Sequence, residues 1–150
     1  SIRDCIMTTT NIPGDADITR IAHGLIDRSL PKSDWTHAAH FAAALWLVRT
    51  GREAEMPGYT RSYNTATRVA NTDISGYHET ITQASLAVAR AALAGAGDAP
   101  LGDVLAALMA TRYGRSDWPF ACWSRARLFT PEARAAWVEP DLARFDPAVR

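Results

Sequence analysis

The chain has 150 residues, 47% of them hydrophobic and 21% charged, the size and composition of one globular domain able to bury a sizeable core. Sixteen Lys and Arg balance sixteen Asp and Glu, so no whole-surface field draws nucleic acid or an anionic membrane, and a small molecule is the expected partner. The most apolar run, residues 38–48, is far shorter than the roughly 20 residues that span a bilayer, and two cysteines, Cys5 and Cys122, form neither a disulfide framework nor a CxxC motif. The expectation is a soluble protein of the reducing cytoplasm.

Met7-Thr8-Thr9-Thr10 reads like a natural start, which marks residues 1–6 as an upstream remnant and 1–17 as a flexible arm ahead of a single helical domain, 18–150. Ile18, Ile21, Ala22, Leu25 and Ile26 recur at helical spacing and predict a first helix from Ile18 to Leu30, closed by Pro31. Ser33 or Asp34 is the expected cap of a second helix, Trp35 to Arg49, ended by Gly51. Between Trp35 and Val48 the only polar side chains are Thr36, His37 and His40, so this helix has no wide face to give to water and belongs at the centre of the fold.

A third helix is predicted from Tyr59 to Ala70. Asn71 to Gly76 is turn and cap chemistry, followed by an alanine-rich helix from Tyr77 to Leu93 that Gly95 and Gly97 break. Leu101 to Arg112 supplies a fifth, with Val104, Leu105, Leu108 and Met109 on its packing side. Trp118, Phe120, Trp123, Leu128 and Phe129 predict a further helix packed over the bundle, Thr130-Pro131-Glu132 is a helix start with proline in first position, and the tail from Glu139 reads as extended. No alternating run demands a strand. The expected fold class is all-α, a compact single-domain bundle of five to six helices with the 35–49 helix buried at its centre. Five tryptophans are more aromatic surface than one small core obviously hides, which favours a homodimer.

The chemistry-bearing residues are the histidines. His37 and His40 are three apart, about 60° on a helix, with small Ala43 and Ala44 beside them. His78 lies in the first turn of the Tyr77 helix, where the dipole favours neutral imidazole, the form that binds a metal. Two imidazoles on a buried helix are equally satisfied by hydroxyls or carbonyls, so the ligand reading and the structural reading start about even. Glu79 and Tyr63 are the candidate proton-transfer groups, although an acid in a first turn is favoured by the dipole alone and a tyrosine on an apolar face is usually core. Asp73 reads as a cap that can also orient an imidazole; Asn64 can line a cavity, and His23 is a weaker candidate. Arg125, Arg127 and Arg134 with Trp123 can hold an anion, or simply face water. Cys122 packs as a small hydrophobe. No GxGxxG, Walker loop, GxSxG or HExxH is present.

The stretches Leu30-Pro31-Lys32-Ser33-Asp34-Trp35-Thr36-His37-Ala38-Ala39-His40 and Asn71-Thr72-Asp73-Ile74-Ser75-Gly76-Tyr77-His78-Glu79-Thr80-Ile81-Thr82, together with 128–134 and 137–142, give the chain a likeness over nearly its whole length. It resembles a group of small bacterial helical proteins carrying both histidine-bearing stretches. The resemblance implies that the two stretches work as a unit, and it implies no activity. Two functions follow from the residues. The first is a small metal-dependent hydrolase, lyase or oxygenase acting on a small polar molecule, with zinc, nickel or iron held by His37, His40 and His78. The second is a non-enzymatic helical ligand- or protein-binding module in which the histidines are structural.

Overall fold

A computed structural model describes residues 12–148. The expected start at Met7, Cys5 and most of the N-terminal arm lie outside the described residues. Among the described residues seven α-helices follow in chain order: α1 (Asp15–Asp27), α2 (His37–Arg49), α3 (Met56–Ala66), α4 (Glu79–Ala96), α5 (Leu101–Met109) and two single turns, α6 (Arg125–Leu128) and α7 (Pro131–Ala135). No strand occurs among the described residues, and no single helix among them is long and apolar enough to cross a membrane. The architecture is the expected all-α bundle.

Its centre is α2. Ala39, Phe41, Ala42, Ala43, Ala44, Leu45 and Leu47 are buried, and α1, α4 and α5 all pack against it. Ile18, Ile21 and Leu25 of α1, Ala84 and Val88 of α4, and Leu105 and Leu108 of α5 join it in one core cluster. The aromatic C-terminal region closes a further flank, where Phe41 meets Tyr113 and Trp118 at ring-centroid separations of 6.5 and 6.3 Å.

The ends of the helices are set by local chemistry that periodicity does not reveal. Helix α1 begins at Asp15, with Asp15 and Asp17 on the favourable positive end of its dipole, so the ordered domain reaches further back than residue 18 and Ile12 already packs on the core. It ends at Arg28, which adopts the left-handed conformation with φ 66°. The chain then folds back so that the Leu30 amide donates to the Gly24 carbonyl at 3.1 Å, and the Leu30 Cβ occupies the place a side chain at 24 would need.

Residues Lys32–Asp34 form a 3-10 turn rather than a cap. The cap of α2 is Thr36, whose hydroxyl accepts from the Ala39 amide at 3.2 Å; Trp35, with ψ 67°, takes the chain off the helical path before it. Helix α3 starts early, with Pro57 in its first turn, and stops at Ala66. There the Thr67 hydroxyl donates back to Tyr63 and Asn64 carbonyls and Arg68 turns left-handed with φ 66°. Helix α4 starts two residues later than Tyr77 and runs through Gly95 to stop at Gly97, φ 59°.

Beyond α5, short 3-10 turns and the two one-turn helices replace the expected longer helix. Trp123 is fully buried, its Nε1 donating to the Val138 carbonyl at 3.0 Å. The tail is non-helical as expected and it docks: Phe145 stacks near Trp123 at 5.3 Å, and the Tyr113 hydroxyl donates to the Asp146 carbonyl at 2.9 Å. Trp118 is buried, Trp35 and Trp46 are half-buried, and Trp137 is 39% exposed. One core therefore absorbs most of the tryptophan surface, which removes tryptophan excess as a reason to expect a homodimer.

Arg28 is an exposed L-residue held where only glycine is free of steric cost. Arg28→Gly should raise stability by about 0.5–1 kcal/mol in urea unfolding; an unchanged or lower midpoint would show that its side chain offsets the backbone cost.

Candidate functional site

The three histidines of the expected metal site are each committed to a different carbonyl. His37 Nε2 donates to Tyr113 at 2.7 Å and sets its ring edge-on to Phe41. His40 Nδ1 donates back along its own helix to Thr36 at 2.8 Å, with its ring 3.9 Å from that of Trp35. His78 Nε2 donates to Leu128 at 2.7 Å. A carbonyl only accepts, so each of these nitrogens carries the hydrogen. No group of three or more His, Cys, Asp or Glu among the described residues is arranged to hold a metal ion.

The expected convergence is thus not found, for two local reasons. An offset of 60° on α2 suffices to send its two imidazoles to different neighbours. His78 is not in the first turn of α4 but is its N-cap, with Nδ1 accepting from the Ile81 amide at 3.2 Å. Ala43 and Ala44 leave no hollow either; both are fully buried.

His78 can do both of its jobs in one protonation state only. Nδ1 must keep a lone pair for the amide while Nε2 keeps a hydrogen for the carbonyl, which is the neutral Nε2–H tautomer. Burial pushes its pKa below the ordinary imidazole value, and the Arg134 charge adds to this against the opposing bond to Leu128. The protein packed around the His40 ring lowers that imidazole as well, against the opposing bond to the Thr36 carbonyl, although the residue as a whole is exposed.

The proposed proton-transfer groups are occupied elsewhere. Tyr63 is fully buried and donates its hydroxyl to the Leu30 carbonyl at 2.8 Å; burial raises its pKa. Glu79 accepts from the Tyr77 hydroxyl at 2.5 Å and from Gln83 at 3.4 Å. Neither hydrogen-bonds a histidine. His23 sits edge-on to Trp46, and the half-buried Cys122 has its thiol pKa raised by burial.

What the structure does bring together is a polar cleft where α3, the 71–77 loop and α7 meet. The Asn71 amide organises the loop: Oδ1 accepts from the Tyr77 amide and from Asn64 Nδ2, both at 3.0 Å, and Nδ2 donates to the Arg61 carbonyl at 3.0 Å. Gly76 has φ 78°, and a Cβ there would run into the Ala70 carbonyl and the Asn71 Oδ1. The cleft has a volume of about 230 Å³ and is lined chiefly by Arg61, Asn71, Thr72, Asp73, Tyr77 and Arg134.

Both guanidiniums are positioned by neutral partners. Arg61 lies over the Tyr77 ring at 4.3 Å, and Arg134 Nη1 donates to the Gly76 carbonyl at 3.1 Å. The ion pairs among the described residues join Arg20 to Asp17 and Asp34, Arg52 to Glu55, Arg90 to Glu53 and Arg115 to Asp117. Arg61 and Arg134 belong to none of them.

Of the arginines singled out in the sequence, Arg134 alone lines this cleft. Arg125 lies over Phe120 at 4.3 Å, Arg127 Nε donates to the Glu139 carbonyl at 3.1 Å, and Trp123 is internal. Asp73 stands in the lining and not behind an imidazole. Arg61 was not legible as a site residue, because nothing around it in the chain marks it; the turn chemistry of 71–76 was the one signal nearby. In comparisons with known proteins, no family model, no curated protein and no solved structure matches this chain.

His78→Asn keeps an N-cap acceptor but drops the tether to Leu128, at an expected cost of about 1–2 kcal/mol at pH 7.5. The folded pKa of His78 lies below its reference value of 6.5, so its contribution is present above that value and is lost as pH falls through the folded pKa. Urea stability of the parent should therefore drop more steeply from pH 7 to 5 than that of the variant. His40 acts with the same sign in both proteins and cancels; parallel profiles would refute the tautomer argument.

Proposed function

We propose that this protein is a helical module that binds a small anionic molecule in the cleft between α3, the 71–77 loop and α7. The observation that carries the reading is the pair of guanidiniums, Arg61 and Arg134, which line one cavity, are held in place, and have no carboxylate partner among the described residues. A guanidinium has five N–H donors in a fixed fork. Arg61 is held by its face and Arg134 by one N–H, which leaves the remaining donors for charge-assisted bonds to a carboxylate or phosphate.

The dimensions agree with a ligand of few atoms. A volume of about 230 Å³ is below the roughly 300 Å³ at which pockets for drug-sized molecules begin, and it suits a phosphate or a short carboxylate. Apart from Arg61 and Ala135, every lining residue falls within the 71–82 and 128–134 stretches on which the bacterial resemblance rests. In this reading the histidines are structural. His78 fixes the Leu128 carbonyl and so holds the segment that carries Arg134. A metal-dependent enzyme built on His37, His40 and His78 has no assembled donor set behind it.

Isothermal titration of the chain with inorganic phosphate and with acetate tests the proposal. Saturable binding is expected, weakening as sodium chloride is raised, and Arg61→Gln or Arg134→Gln should each reduce affinity by about tenfold or more. Binding that survives the double variant unchanged would place the anion elsewhere and overturn the assignment.

A further inference from the structure

We infer that the ligand carries two acidic groups, the second received by Arg28 in a hollow adjoining the cleft across Arg61. The inference rests on the anion-binding reading of the cleft and extends it to the class of ligand. The second hollow, about 320 Å³, is lined by Arg28, Arg61, Ser62, Thr65 and Ala66. Arg61 lines both cavities, so the two hollows adjoin at this residue, with Arg134 lining the first and Arg28 the second. No lining side chain of the second hollow apart from the arginines is larger than threonine, so its character is set by the two cations.

Arg28 is available to a ligand in the same sense as Arg61 and Arg134, for it belongs to none of the ion pairs among the described residues. The carboxylate next to it in the chain, Asp27, accepts from both the amide and the hydroxyl of Ser29 and makes no ion pair with Arg28, although the Arg28 charge helps to lower its pKa. Charge over the combined lining is three arginines against one carboxylate, Asp73, a surplus of two. A single carboxylate leaves one of those charges unanswered, whereas a small molecule with an acidic group at each end neutralises both while spanning Arg61. The chemical class is a short α,ω-diacid, and each end makes charge-assisted bonds to a guanidinium pair that shares Arg61.

The test is a titration series on the full chain with acetate, inorganic phosphate and the linear dicarboxylates from oxalate to adipate, repeated on Arg28→Gln, Arg28→Gly and Arg134→Gln after circular dichroism has confirmed their helix content. One dicarboxylate length should bind at least tenfold tighter than acetate. Both Arg28 variants should erase that gain while leaving acetate and phosphate within twofold of the parent, and Arg134→Gln should weaken every ligand. If acetate and phosphate bind but no dicarboxylate exceeds acetate, or the gain survives both Arg28 variants, the two-ended ligand is overturned and the anion cleft stands. If no anion in the series binds the parent chain, both fall together.

Discussion

Helix α2 has nowhere to meet water along most of its length, and the rest of the molecule is arranged by the need to enclose it. Seven of its residues between Ala39 and Leu47 are buried, so one neighbour cannot suffice, and α1, α4, α5 and the aromatic C-terminal region share the work. Enclosure also decides what becomes of the polar groups at its start. Thr36 caps the helix, His37 takes the Tyr113 carbonyl and His40 the Thr36 carbonyl. A polar group near a core is costly until it has a partner, and here backbone carbonyls supply the partners. The cluster that looks most like chemistry in the sequence is accounted for by hydrogen-bond satisfaction.

How much of this was readable beforehand depends on the range over which each feature is decided. The helices α1, α2, α4 and α5 follow from apolar spacing, a property of neighbouring residues, and the central place of α2 follows from its lack of a polar face. Their ends were misjudged where several capping side chains compete within a few residues. Ser33 and Asp34 were favoured over Thr36, and His78 was placed inside α4 when it is the cap. Where a histidine ring finds its partner is decided at long range, 76 residues away for His37 and 50 for His78, and no local pattern carries that. The same holds for Arg28 and Arg61, two surface arginines among many until α3 and the turn after α1 come together around one hollow.

The cleft shows a division of labour between groups that build and groups that remain unspent. Asn71 uses its amide on the chain itself, replacing the ladder that an irregular loop lacks. Tyr77 gives its ring face to Arg61 and its hydroxyl to Glu79, and burial together with that carboxylate holds the phenol in its protonated form. Arg61 and Arg134 are therefore steadied by partners that do not cancel their charge. Orientation settled before a ligand arrives lowers the entropic cost of receiving it.

The way the C-terminal segment is fastened to α4 has a consequence for how this molecule can change. His78 grips the Leu128 carbonyl, and the buried Thr80 hydroxyl serves Ala133 and Ala136 carbonyls at 2.8 and 3.0 Å while accepting the Val138 amide at 3.2 Å. Every one of these contacts reads main chain in the docked segment and side chain in the receiving one. Side-chain changes at the exposed positions of 128–138 therefore leave these bonds in place, whereas changes at 78 and 80 remove them. Two strips of chain in contact along the same seam thus differ in what a substitution does to it, and the more sensitive one is the half whose side chains do the holding.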